Sequence, residues 1–541
     1  MKRITLLLFC VATLVMHGQK DLSFTRDDYL RGSITPERSW WDLNYYHLEV
    51  EVDPEKKFIS GKNTIRYKVL ESNNVMQIDL QPPLKIEKVT YKDQNLTYKR
   101  NGNAYLVLFD NEQNVGEFNE ITVHYSGKPK EAVRAPWDGG FSWKKDSNGN
   151  PFVATSCQGL GASIWWPNKD HMYDEVDSMA ISVTVPKNLM DVSNGRLRKV
   201  VENKNTKTYH WFVNNPINNY GVNVNIGDYV HFGEKYAGEL GPLDLDYFVL
   251  PENLEKAKEQ FKQTPMMMKA FEHWFGPYPF YEDGFKLVEV PYLGMEHQSS
   301  VTYGNKYGNG YLGTDLSGSG WGLKFDFIII HEAGHEWFAN NITYKDIADM
   351  WIHEGFTAYS ENLYLDYYYG KEAAADYVIG TRKNIQNDRP IIGRYNLNKR
   401  GSSDMYYKGA NMLHTLRMLI EDDAQWRKIL RGLNETFRHQ TVTTQQIENY
   451  LSQKTGKDLT AYFNQYLRTT MIPKLEYQMD GKNIRYRYTN VVENFDMPIR
   501  VFIKDKAHWL FPSSEWKTEK LKGKTIKFDR NFYIEKEQVS L

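Results

Sequence analysis

At 541 residues, with 41% hydrophobic and 25% charged side chains, the chain has the make-up of a globular protein too long for one core, so about two to four domains are expected. The formal net charge is −1 and no block of like charge stands out, which argues against a nucleic-acid binder or a polybasic membrane patch. An aromatic content of 14%, with 37 Tyr, points to β-rich packing.

Lys2 and Arg3, the apolar run Ile4 to Met16, and His17-Gly18-Gln19 have the pattern of a signal peptide over 1–19. The run is too short to span a membrane and nothing comparable follows. The mature chain is therefore expected to be exported, periplasmic or secreted, with no integral membrane segment. Cys10 follows Leu7, Leu8 and Phe9, not the small residues that lipid attachment needs. Once it leaves with the signal, Cys157 is the remaining thiol and an intrachain disulfide is impossible.

Residues 20–40 are polar and are expected to run over the surface. From Trp41 the hydrophobic period is two: Leu48, Val50 and Val52 alternate with His47, Glu49 and Glu51, as in a half-buried antiparallel strand. Val75 to Leu80, Ala104 to Phe109 and Ile121 to Tyr125 repeat the pattern between turn residues, so 41–238 reads as a β domain. Glu252 to Phe275 carries apolar residues at helical spacing until Gly276-Pro277 stops it, and a mainly helical domain is assigned to 239–470.

Within it lies His331-Glu332-Ala333-Gly334-His335. Two histidines four apart on a helix share one face and reach one metal ion, with Glu332 beside them. The metal helix is expected over Phe325 to Asn340. Glu354 follows after eighteen intervening residues, room for a loop and a returning helix, and is the third ligand candidate. Two His and one Glu leave a fourth position open on Zn²⁺, one ion per chain, which can lower the pKa of a bound water to about 7 and polarise a carbonyl. Asp349 is placed to cap the helix of Glu354. Glu354, Ala358 and Glu361 share a face of that helix. Helices are expected over Ala410 to Glu421, Ala424 to Phe437 and Gln445 to Thr455, the last capped by Thr444, and from Asp458 through Arg468. After Ile472-Pro473 the pattern alternates again, with a turn at Asp480-Gly481, and 471–541 is enough for a small β-sandwich.

The metal motif, Gly294-Met295-Glu296-His297, Trp351 to Phe356 and Tyr406-Tyr407-Lys408-Gly409-Ala410 together resemble the aminopeptidase N and leukotriene hydrolase family of gluzincins. The resemblance is dense over 290–410 and thin over the rest of 40–541. It implies an α+β multidomain fold: an N-terminal β-sheet saddle, a thermolysin-like catalytic domain and a C-terminal β-sandwich, without the large helical domain some members carry. The family's Gly-Ala-Met-Glu-Asn stretch appears here with Leu293 for the first Gly, Gly294 for Ala and His297 for Asn. His353 stands where an Asn is usual, and Asp349 matches a family acid that orients a ligand histidine, the alternative to its reading as a cap. By the same resemblance Glu296 pairs with a peptide's α-ammonium, helped by Gln158 from a loop of the β domain. Gly294 and Met295 line the substrate, and Tyr406 donates to the oxyanion.

The activity so implied is a zinc aminopeptidase acting on peptides with a free N-terminus, with Glu332 as base. A thermolysin-like endopeptidase would keep the zinc set without using Glu296. A zinc-containing peptide-binding protein without turnover would have no use for Glu332 and Tyr406. Lipid epoxide hydrolysis, known in one family branch, has no specific sign here. The preferred first side chain and the oligomeric state are not legible.

Overall fold

The computed structural model describes residues 24–523 and 525–540, so the expected signal peptide lies outside the described residues. The segment expected to run over the surface forms two short helices, Arg26–Gly32 and Pro36–Ser39. Some of its polar residues have internal partners. Arg38 is fully buried and pairs with Asp79 at 2.6 Å; a charge stays inside a protein when it is paired and hydrogen-bonded in this way.

Strand Trp41–Asp53 turns back into Phe58–Val69, and both lie within an eight-stranded sheet. The alternation read from the sequence is the alternation of faces: Tyr46, Leu48, Val50 and Val52 all point into the core. A four-stranded sheet contains Pro151–Ser156, buried along nearly its whole length. This strand delivers the turn Cys157–Gly161, and with it Gln158, towards the catalytic domain.

The boundary expected at 238/239 cuts through a hairpin. Strand Val230–Gly238 pairs antiparallel with Gly241–Val249, which runs parallel to Phe285–Glu289. These strands, with Val301–Tyr303 and Gly294–Met295 at the far edge, form one five-stranded sheet that belongs with the catalytic helices. Period-two alternation identifies a strand but does not say which sheet it joins, so the β domain ends near Tyr229. The helix expected over Glu252 to Phe275 is two helices, Leu254–Gln260 and Gln263–Phe275. Pro265 is the reason: it has no N–H for the Phe261 carbonyl, and its ring would clash there in a continuous helix.

Helices Tyr407–Ile420, Asp423–Thr436, Thr444–Thr455 and Thr460–Arg468 complete the domain. Thr443, one residue earlier than expected, caps the third of these in a capping box with Gln446. At the end of the chain, a four-stranded and a three-stranded sheet include the hairpin Lys474–Asp480 and Asn483–Thr489, with Gly481 in the left-handed conformation. Among the described residues, no helix is long and apolar enough to cross a membrane.

Candidate active site

The metal helix is shorter than its sequence pattern suggests. Asp326 caps it, accepting from the N–H groups of Ile328 and Ile329, and regular α-helix runs over Phe327–Gly334. A wider turn, Glu336–Asn340, follows, with Phe338 and Ala339 out of helical conformation. The apolar pattern Trp337-Phe338-Ala339 continues through the break because those residues are still buried. The break has a use: it frees the Phe338 carbonyl to lie 3.0 Å from His335 Nδ1, with the Thr357 hydroxyl 3.1 Å away. Glu361 Oε1 lies 2.7 Å from His331 Nδ1. With Nδ1–H of both rings donating to these oxygens, each ring presents its Nε2 lone pair to the same space.

Glu354 faces that space from helix Trp351–Tyr369. Its Oε2 lies 3.7 Å from His331 Nε2 and 3.4 Å from His335 Nε2. Tetrahedral zinc with bonds of about 2.0–2.1 Å sets its ligand atoms about 3.3 Å apart, so the three atoms stand close to coordination geometry before any adjustment. Glu354 Oε2 is also buried with no hydrogen-bond partner in the protein. A buried carboxylate oxygen facing two imidazole lone pairs is unfavourable unless a cation sits between them. His331, His335 and Glu354 therefore fit one zinc ion.

Two glycines bring the helices close enough. A Cβ on Gly334 would fall 2.6 Å from Ser360 Oγ, so the metal helix and the return helix touch there. A Cβ on Gly355 would fall 3.1 Å from the Met405 carbonyl and 3.5 Å from Gly409 Cα. That second contact seats the start of helix Tyr407–Ile420 against the site. Tyr406, one residue before that helix, lies with its ring 6.0 Å from the His331 ring, inclined by 22°. Burial, and the negative charge of Glu354 after it, hold the Tyr406 phenol well above its usual pKa, so it is a donor at neutral pH.

The Glu332 and Glu296 carboxylates and His335 lie within 4.8 Å of one another. Burial pushes Glu332 up to about 7 against the pull of His331. Gly294 and Met295 form the edge strand, paired with Tyr303 and Thr302. A Cβ on Gly294 would fall 2.6 Å from Ile328 and 3.3 Å from the Glu332 side chain, so this edge lies directly on the metal helix. The Glu296 backbone carbonyl accepts from Asn340 Nδ2 at 2.9 Å. Gln158 reaches across from the β domain, its Nε2 2.6 Å from Glu296 Oε1 and 3.2 Å from Glu354 Oε1.

Two expectations for neighbouring residues change. Asp349 neither touches a ligand histidine nor caps the return helix; it accepts from Tyr395 and from the Thr444 hydroxyl, each at 2.6 Å. The carboxylate behind a ligand is Glu361, itself held by the Tyr377 hydroxyl at 2.5 Å. Its spacing of seven from Glu354 was the available signal, while Tyr377 and Asn340 have no local one. His297 is buried, with burial holding it near 3, and has Thr302 Oγ1 at 3.4 Å as its neighbour. His353 is also buried and neutral; its Nε2 accepts from the Tyr344 N–H at 2.8 Å.

A broken metal helix, a return helix carrying the third ligand and a flanking edge strand, set beside a β domain, define a zinc metallopeptidase architecture. Residues 43–220 match the family described as "Peptidase M1 N-terminal domain" and residues 259–466 the family described as "Peptidase family M1 domain". The chain belongs to the M1 peptidase family. It is 24% identical over 447 residues to leukotriene A-4 hydrolase of Xenopus laevis, spanning 77% of this chain and 68% of that one. It is 19% identical to probable aminopeptidase 2 of Sulfurisphaera tokodaii over 82% of this chain, but spans only 55% of that relative's length. A crystal structure of an M1 zinc metallopeptidase from Deinococcus radiodurans, in a mutant form bound to a Tyr-Ser-Ala substrate, superposes with a TM-score of 0.67 at 20% identity, covering 81% of this chain and 96% of that one.

Proposed function

We propose that the chain is a zinc aminopeptidase that removes N-terminal residues from peptides by water attack on the first peptide bond. The observation that carries this reading is the Glu296 carboxylate, 3% exposed, beside the metal ligands with Gln158 at 2.6 Å. A buried carboxylate beside the metal ligands is matched by an α-ammonium, through charge-assisted hydrogen bonds typically worth about 1.5–3 kcal/mol. Names of the relatives support the class: two are probable aminopeptidases.

Zinc held by His331, His335 and Glu354 would supply Lewis-acid polarisation of the scissile carbonyl. Glu296 and Gln158 hold the ammonium, which leaves only the first peptide bond within reach of the ligand cluster. Glu332 takes a proton from the attacking water and delivers it to the leaving amine. Tyr406 donates to the oxygen on which negative charge develops. Gly294 and Met295, on the edge strand, line the path of the substrate backbone.

A panel of amino acid amides and dipeptides, each with a free and an N-acetylated amine, tests the reading. Cleavage of the free forms alone, abolished by chelator, is the expected result. Equal cleavage of acetylated peptides would point to an endopeptidase, and zinc binding without turnover to a peptide-binding protein. We also propose that the protein acts outside the cytoplasm, on the signal-like pattern of Lys2 to Gln19. Sequencing the N-terminus of the exported protein checks that assignment.

A further inference from the structure

We propose that Arg31 is a positioning residue for the amine anchor, and that its helix, Arg26–Gly32, clasps the Gln158 turn to the segment leading into Tyr406. The inference rests on the aminopeptidase reading for its function, and on the following contacts for its geometry.

On one side, Arg31 Nη1 donates to the Gly159 carbonyl at 2.9 Å and its Nε to Asp170 Oδ2 at 3.1 Å. The same Asp170 oxygen accepts from the Ser163 N–H and hydroxyl at 3.1 and 2.6 Å, so the ion pair is anchored in the fold. Gly161 lies directly on it, with φ of +91° and a missing Cβ that would stand 2.1 Å from Asp170 and 2.2 Å from Arg31. The turn is closed by the Gly161 N–H donating to Cys157 O at 2.7 Å. Gln158 is the one long polar side chain on it. On the other side, the Asp28 carbonyl accepts from the Asn398 N–H at 2.9 Å, and Asp28 Oδ1 pairs with Lys399 at 3.3 Å. Asn398 also points its amide at the Gly159 carbonyl, 3.5 Å away. It precedes Tyr406 by eight residues. The helix thus touches both the Gln158 turn and the segment that leads into Tyr406, without touching the reacting atoms.

Two glycines make the turn soft. A guanidinium fork gripping its carbonyl restricts where Gln158 can point, and a lysine cannot reproduce that two-pronged grip. Losing the grip weakens capture of the ammonium and leaves Glu332 and Tyr406 in place.

The test uses the full-length zinc-loaded protein and its best-cleaved amino acid amide. Arg31→Ala is expected to raise KM about tenfold with kcat within about twofold of wild type, and Arg31→Lys to fall between. In a Gln158→Ala background the Arg31→Ala effect on KM shrinks to less than about twofold, because both changes remove one interaction. An unchanged KM in Arg31→Ala, or the same rise in both backgrounds, overturns the proposal. Peptide-level hydrogen exchange reads the grip on the turn without turnover: faster exchange in Arg31→Ala over residues 156–162 supports it, and an unchanged pattern there overturns it. Wild-type protein that holds zinc and leaves every amide intact removes the aminopeptidase reading and the anchor role with it, a result distinct from an unaltered KM in an active enzyme.

Discussion

In the proposed mechanism Glu332 is charged when the water attacks, so its ionisation would set the low-pH side of activity. Burial raises it from 4.5 to about 7, and a zinc ion beside it acts in the opposite direction by stabilising the carboxylate. The acid limb of kcat/KM is therefore expected at an apparent pKa between 4.5 and about 7, with activity falling as pH drops through it. Glu332→Gln keeps the size of the side chain and cannot accept the proton. It should lose about 10²–10⁴-fold in kcat while retaining zinc, and the residual rate should lack this acid limb. A pH profile with metal analysis on both proteins checks it; a Gln variant as active as wild type would remove Glu332 from the role of base.

At the scale of elements, much of the site could be read from spacing and the rest could not. His331, His335 and Glu354 were legible because one helix turn and one returning helix fix where those side chains go. Gln158, Glu296 and Tyr406 are separated by well over a hundred residues at the extremes; only resemblance to relatives grouped them, and the fold brings their side chains around the same cluster. The helix break after His335 was hidden by the continued burial of Trp337 and Phe338, which has the same pattern whether the backbone is helical or not. Glu361 was visible as a residue on the right face but not as the partner of His331, since a helical wheel does not show what stands opposite.

The helix contact at Gly334 gives a prediction of its own. Ala at that position puts a methyl 2.6 Å from Ser360 Oγ, closer than a real contact allows, and prises the return helix from the metal helix. Zinc affinity should fall about 10–100-fold in Gly334→Ala, the range seen when groups supporting a metal site are disturbed. Adding Ser360→Ala removes the clashing oxygen and leaves Thr357 Cγ2 at 3.2 Å as the nearest contact, so the double variant should regain part of the loss. Competitive zinc titration of the two variants measures this; equal affinity in Gly334→Ala and wild type would show that the contact yields freely.

In the whole molecule, the domains are less separate than their sheets suggest. Val288, Val290, Tyr292 and Met295 come from the catalytic sheet and its edge but pack in the hydrophobic core of the β domain. Leaving any of them exposed would cost about 1.5–3 kcal/mol apiece. The catalytic helices, in turn, share a core with the C-terminal strands through Leu475, Ile484 and Tyr488. Zinc held by His331, His335 and Glu354 would tie together two helices at the centre of this arrangement, and Glu354 Oε2 has no protein partner to replace it. Ligand binding to the folded state stabilises by about 2.7 kcal/mol when the free ion is at one hundred times its Kd. Removing zinc with a chelator should therefore lower the melting temperature by a few degrees. Because the cores interlock, the shift should move the unfolding of the β domain and the catalytic domain together. Calorimetry of the chelated and zinc-restored protein decides the point. Two transitions that separate on chelation, with only one of them shifted by zinc, would mean that the shared packing at Val288 to Met295 does not couple the domains.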